Sequence, residues 1–188
     1  MRHKLFRLGL FAVLLVAAIA AYFTLLHGGV TNRLEAGQSI LSKVPTDQMP
    51  AVFEGLPHHS YESELLGKEL KTKITFEIGQ YPFYKSPLTI RANDLADLAH
   101  ITRNPESYRR LVGEKKCGGF HPDFALEWLL GARKIDVSIC FGCCEAKISD
   151  GNWVVRVDLD KNAHVRFKAL LRPYRTNRPA STDWIPDC

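Results

Sequence analysis

An α+β fold with a mainly antiparallel sheet is predicted by three features of the sequence. Apolar residues alternate with polar ones through much of the second half, turn-forming stretches separate these runs, and segments with helical spacing flank them. The expected architecture is a meander of four strands plus an N-terminal strand, with helices packed on one face and one transmembrane or signal helix in front. At 188 residues, 46% apolar and 24% charged, the chain has the length and composition of one folded domain with extensions.

The first element is the stretch from Leu8 to Leu26, which contains no charged residue and follows Arg2, Lys4 and Arg7. It is close to the ~20 residues that a helix needs to cross the hydrocarbon core. The sequence Ala18-Ile19-Ala20 offers a small-x-small cleavage site, so the alternative is a signal peptide cut near Ala20. Tyr22, Phe23, Leu25 and Leu26 carry the apolar run past that site, which favours an uncleaved anchor. Basic residues ahead of the span keep the N-terminus in the cytoplasm and place the rest outside it. The membrane is thus the expected partner, through Leu8 to Leu26, and no protein partner is specified.

Residues 1–29 therefore read as anchor or signal, 30–69 as a tether with a short helix, 70–175 as the globular domain and 176–188 as a C-terminal tail. In the tether, Thr31 or Asn32 can cap a helix carrying Leu34, Ile40 and Leu41, and Pro45, Pro50 and Pro57 then interrupt regular structure. His58 and His59 in this Pro-rich stretch are expected to be exposed. Leu70, Thr72, Ile74, Phe76 and Ile78 alternate with polar residues and predict a half-buried strand. Asn93 or Asp94 can cap a helix bearing Leu95, Leu98 and Ile101. A second short helix follows, with Asn104 at the cap, Pro105 at the first position and Gly113 beyond its end.

The meander comes next. Phe124, Leu126, Trp128 and Leu130 share one face of a strand, and Ile135, Val137, Ile139 and Phe141 share a face of the next. A turn at "GARK" pairs Leu130 with Ile135 and Phe124 with Phe141. A third strand runs from Glu145 to Ile148, "SDGN" turns, and Trp153, Val155, Val157 and Leu159 face inward on a fourth. The inward positions change from odd to even between the second and third strands, which predicts a β-bulge at "FGCC" absorbed by Gly142. Asp160 then caps a helix with Ala163, Phe167, Leu170 and Leu171 on one face, and Pro173 ends it.

The formal charge of +5 falls to +2 without Arg2, Lys4 and Arg7, so no broad basic surface for nucleic acid is expected. Arg172, Arg175 and Arg178 read as part of a solvated tail. No phosphate-binding loop, dinucleotide fingerprint, zinc-protease motif or nucleophile elbow is found.

Chemistry therefore centres on Cys117, His121, Cys140, Cys143 and Cys144. Three uses are open. A structural disulfide from Cys117 to Cys140, Cys143 or Cys144 suits an oxidising exterior, because the approach carrying Cys117 and His121 lies beside the strand end at Cys140 to Cys144. A zinc ion could be held by Cys117, His121, Cys140 and Cys143, although the spacing matches a zinc ribbon only loosely. Thiol exchange at Cys140 and Cys143 would use the C-x-x-C, but the residues after it read as a strand where thioredoxin-like sites have a helix. A cysteine with His121 and Asp123 also makes a Cys/His/Asp set, with nothing else to position an acyl substrate. No cofactor is expected, and zinc is the alternative.

The segment from Ala92 to Leu171, with "C...FHPDFALEW...RKIDVSICFGC", then "SDG" and a helix with "FKALL", resembles a group of bacterial proteins. In that group a Pro-His or His-Pro element precedes a hairpin that ends in a Cys-Phe-x-Cys strand. The resemblance implies the element order given above and an export or envelope setting, hence a single-pass bacterial cell-membrane protein, or a secreted or periplasmic one after cleavage. It brings no activity. Many members read Pro-Arg-His where this chain has His121-Pro122-Asp123, so no role for the histidine transfers. The expected function is an extracytoplasmic binding or envelope-associated module with a structural cysteine cluster.

Overall fold

A computed structural model of the chain describes residues 33–113, 115 and 117–178. The expected anchor at Leu8 to Leu26 lies outside them, and among the described residues no helix is long and apolar enough to cross a membrane.

The chain is α+β. Helix α1 covers 33–41. It is followed by β1 (Ala51–Glu54), α2 (Ser63–Thr72), β2 (Thr75–Ile78), β3 (Tyr81–Tyr84) and α3 (Ala92–Arg103). A 3-10 turn (Pro105–Ser107) leads to β4 (Tyr108–Arg109), and then come β5 (Phe124–Leu130), β6 (Arg133–Cys140), β7 (Glu145–Ser149), β8 (Val154–Leu159) and α4 (Lys161–Leu171). Six strands make an antiparallel sheet in the order β1-β5-β6-β7-β8-β4, while β2 and β3 form a separate ribbon. The expected meander is the centre of the sheet, β5 to β8.

Alternation along these strands separates two faces. Phe124, Leu126, Trp128, Ile135, Val137, Ile139, Ile148, Val155 and Val157 face the helices, where Ile40 and Leu41 of α1, Leu98 and Ile101 of α3, and Phe167 and Leu171 of α4 close the main core. The opposite face meets the ribbon through Phe53, Ala125, Ile78 and Phe83. The capping residues at two helix starts are as expected. Asp160 accepts from the Asn162 amide and Asn104 from the Glu106 amide. The helix after Asn104 lasts a single 3-10 turn, because Tyr108 is drawn into pairing with Leu159. Helix α3 starts at Ala92 with Arg91 at its N-cap, so Asn93 and Asp94 sit in its first turn.

Several expectations are corrected. The stretch 30–69, as far as it is described, is no tether: α1 fills the core and β1 pairs with β5 at the sheet edge. Of the strand expected from Leu70 to Ile78, Leu70 and Thr72 belong to α2, a run of good helix formers with Glu64 in the first turn and Lys71 in the last. Only Thr75–Ile78 is extended, and it pairs with β3 outside the main sheet.

Both hairpin registers move by two residues. Trp128 pairs with Ile135 and Phe124 with Ile139, because β5 and β6 are joined by the two-residue turn Gly131-Ala132 with φ +62° at Gly131. Ile148 pairs with Val155, and Trp153 sits in the turn, 73% exposed. A two-residue move keeps each paired side chain on its face, so Val155, Val157 and Leu159 are inward as expected with other partners, whereas Trp153, also expected inward, is left in solvent. The odd-to-even change needs no bulge. A four-residue turn over 141–144 makes it, with Cys140 paired to Glu145, and Cys144 rather than Gly142 has the positive φ, +50°.

Candidate functional site

Asp123 brings the predicted site residues together. Its amide donates to the Ile139 carbonyl (2.7 Å) and its Oδ2 accepts from the Phe141 amide (2.8 Å), so the approach to β5 lies along the end of β6. Gly55 lets β1 run against the same approach, since a Cβ there would overlap the Pro122 carbonyl oxygen. Cys117 and His121 are thus set beside the 140–144 turn, as expected.

Cys117 is disulfide-bonded to Cys143, with the Cα atoms 5.6 Å apart. Phe120 and Cys140 pack around this bond. Cys140 is a free, buried thiol that accepts the Cys143 amide at 3.2 Å. Burial, then the Asp123 carboxylate, pushes its pKa up to about 12, away from the thiolate that exchange chemistry needs. Cys144 is disulfide-bonded as well.

The four residues named for zinc do not fit it, because two of them are joined to each other and a bonded sulfur is no thiolate ligand. Among the described residues no group of three or more His, Cys, Asp or Glu could hold a metal ion. Nor is there a Cys/His/Asp relay: Asp123 is engaged by Arg175 (3.0 Å), Arg178 (3.1 Å) and the Phe141 amide (2.8 Å).

His121 is buried, and its ring lies 4.6 Å from that of His58 and 6.2 Å from that of His59. Burial and then the Arg178 charge hold His121 well below the ordinary imidazole range, and burial and then His59 lower His58. His58, expected in solvent, is buried. Its Nδ1 accepts the Ser60 amide (3.0 Å) and its own amide donates to Glu62 (2.6 Å). The site is a corner in which two buried imidazoles, His58 and His121, are held toward the neutral form.

Around it runs an ion network that the sequence reading missed. Residues 176–178, expected as part of a loose tail, fasten onto the Glu54 carboxylate through the Thr176, Asn177 and Arg178 amides at 3.2, 2.9 and 2.9 Å. The buried Arg178 guanidinium pairs with Glu62 and with Asp123. Glu54 and Arg178 are 124 positions apart, and no local pattern could have joined them.

A second feature lies on the ribbon side of the sheet. Asp136 and Ser149 are paired across β6 and β7, as are Ser138 and Lys147, so four polar side chains stand together. The ribbon turn at Gly79 and Gln80 faces them across a cleft of about 370 Å³. Lys147 Nζ is bonded to Tyr81 Oη and sits 4.6 Å from the centres of the Tyr81 and Phe120 rings. Burial, then the neighbouring Glu127 carboxylate, raises Asp136 to about 6. Local alternation does not reveal that the ribbon folds over these positions. No protein-family model, no curated protein and no solved structure matches the chain.

Proposed function

We propose that this chain is a membrane-anchored, extracytoplasmic binding module whose cysteine corner is structural, with the Asp136 cleft as the place for a small polar ligand. The observation that carries this reading is the state of the C-x-x-C. Cys143 is bonded to Cys117 outside that motif, and Cys140 is a buried thiol pushed away from reactivity. A disulfide of this kind belongs to an oxidising compartment, which agrees with export directed by Arg2, Lys4, Arg7 and the apolar run Leu8 to Leu26. A carboxyl of raised pKa, an ammonium and two hydroxyls converging on a cleft support binding of a small molecule with complementary polar groups.

The test is a thiol and metal count on the chain expressed into an oxidising compartment. One thiol per denatured chain, located at Cys140 and unreactive before denaturation, with no bound zinc, is expected. Four or five thiols with one zinc per chain would replace this reading by a metal site. Capture of glutathione by Cys140 in a Cys143→Ser variant would replace it by thiol exchange.

A further inference from the structure

The cleft between the ribbon turn and the face of β6 and β7 holds charges of both signs, and each has bonding capacity left over. We infer that it takes a small zwitterion, an α-amino acid with an apolar side chain, whose ammonium sits on Asp136 and whose carboxylate sits on Lys147, Tyr81 and Ser138. This assignment rests on the proposal that the cleft binds a small polar ligand.

Asp136 forms the acceptor end. It is 8% exposed, and strand pairing sets Glu127 of β5 on one side of it and Ser149 of β7 on the other. The Ser149 hydroxyl bonds its carboxyl and itself accepts the Gly151 amide at 3.1 Å. Among the described residues no ion pair forms on Asp136, since Lys134 is bound to Glu127 at 2.6 Å and Lys147 is bound to Tyr81. Two neighbouring carboxylates that share one paired cation attract a second. An ammonium suits the place, because it is a compact charge that one carboxylate can hold, whereas a metal ion asks for several oxygens at once.

The donor end lies further along the same face. Ser138 is 3% exposed, stands opposite Lys147 and lines the cleft, and among the described residues its hydroxyl has no hydrogen-bond partner. Tyr81 Oη accepts Lys147 Nζ and Gln80 Nε2 (3.0 Å), so its own hydrogen is left to donate. Lys147 spends one of its hydrogens on Tyr81 and keeps the others. A hydroxyl, a phenol and an ammonium together match a carboxylate, which accepts several hydrogen bonds at once.

Spacing and size select the class. Asp136 and Lys147 are diagonal neighbours across β6 and β7, ~7 to 8 Å apart at the backbone. An amino acid with a hydrogen bond of about 2.9 Å at each end spans a gap of this order. The cleft, at about 370 Å³, is near the lower limit of ligand sites, ~300 to 1,000 Å³, and so holds a single residue in preference to a peptide. Ile78 and Val154 give it an apolar wall, with Val154 63% exposed and free to cover a side chain.

The experiment titrates the full chain in detergent with L-leucine, with 3-methylbutylamine, which lacks its carboxylate, with 4-methylpentanoate, which lacks its ammonium, and with glucose as an uncharged polyol. Calorimetry should show leucine binding and each singly charged analogue about tenfold weaker, one charged hydrogen-bonding group having been removed. Asp136→Asn should erase the preference for leucine over 4-methylpentanoate, and Lys147→Met the preference over 3-methylbutylamine. Burial and Glu127 raise the Asp136 carboxyl to about 6, and it must ionise to receive the ammonium. Leucine affinity should therefore fall about tenfold from pH 7 to pH 5 in the parent and stay level in Asp136→Asn. Equal binding of leucine and either analogue to the parent would overturn the zwitterion. So would leucine binding that neither variant alters, which would place it elsewhere. Glucose binding that Asp136→Asn abolishes, with no leucine binding, would overturn the zwitterion and leave the cleft as a ligand site. No binding of any of the four probes would overturn both.

Discussion

Arg178 carries its charge at 4% exposure, and among the described residues Glu62 and Asp123 pair with it. Replacing it with Met keeps most of the volume, removes the counter-charge of the buried Glu62 and leaves Asp123 to Arg175, a loss of about 3 to 5 kcal/mol for a broken buried pair. Urea unfolding measures this, and a loss below about 1 kcal/mol would mean that water already screens the network. Asp136 gives the opposite result. Its carboxyl is raised from 3.8 to about 6, so the stability it contributes is present below 3.8, is lost as the pH climbs, and is gone above about 6. Asp136→Asn should therefore become more stable relative to the parent between these values, by at most about 3 kcal/mol. The comparison must be between variant and parent, because His58 and His121 are lowered and lose their contribution in the other direction, as pH drops below 6.5. Neither Arg178 nor Asp136 could be read as buried from the sequence. Each is covered by chain distant in sequence, and local alternation records which face a residue occupies without recording what lies on that face.

At the scale of the element, the hairpins show what alternation and turn chemistry can each decide. Apolar alternation assigned the helix-facing positions of β5 to β8 correctly, since a two-residue move returns each side chain to the same face. The pairing itself depends on turn length. "GARK" allows four residues or two, and Gly131 at φ +62° takes the shorter form. Gly131→Ala tests this cleanly, because an added Cβ would meet nothing within 4 Å and the cost is conformational alone. A loss of about 1 kcal/mol in urea unfolding is expected from the positive φ. A neutral result would mean that the turn relaxes to another form with Ala. The helix-capping signals at Asn104 and Asp160 were legible because a cap acts within three residues, whereas the short length of the helix after Asn104 depended on β8, some 50 positions away.

At the scale of the molecule, the cysteine corner ties the ribbon side of the sheet together. Cys117 and Cys143 are 26 positions apart and enclose the whole β5–β6 hairpin. Closing a loop of that size in the unfolded chain is worth about 3.5 kcal/mol by chain entropy. The folded corner has other supports, since Asp123 fastens the same approach to Phe141, Arg175 and Arg178. A Cys117→Ser/Cys143→Ser chain should therefore keep the fold while losing about 3 to 4 kcal/mol. Its urea dependence should steepen, because an unfolded chain without the cross-link exposes more surface. Circular dichroism and urea unfolding of parent and variant in parallel measure both quantities. A loss of that size with a steeper dependence would place the effect of the bond in the unfolded state. A much larger loss, with the native spectrum gone, would mean that the ion network cannot hold the approach to β5 alone and that the bond positions Asp123 and Arg178.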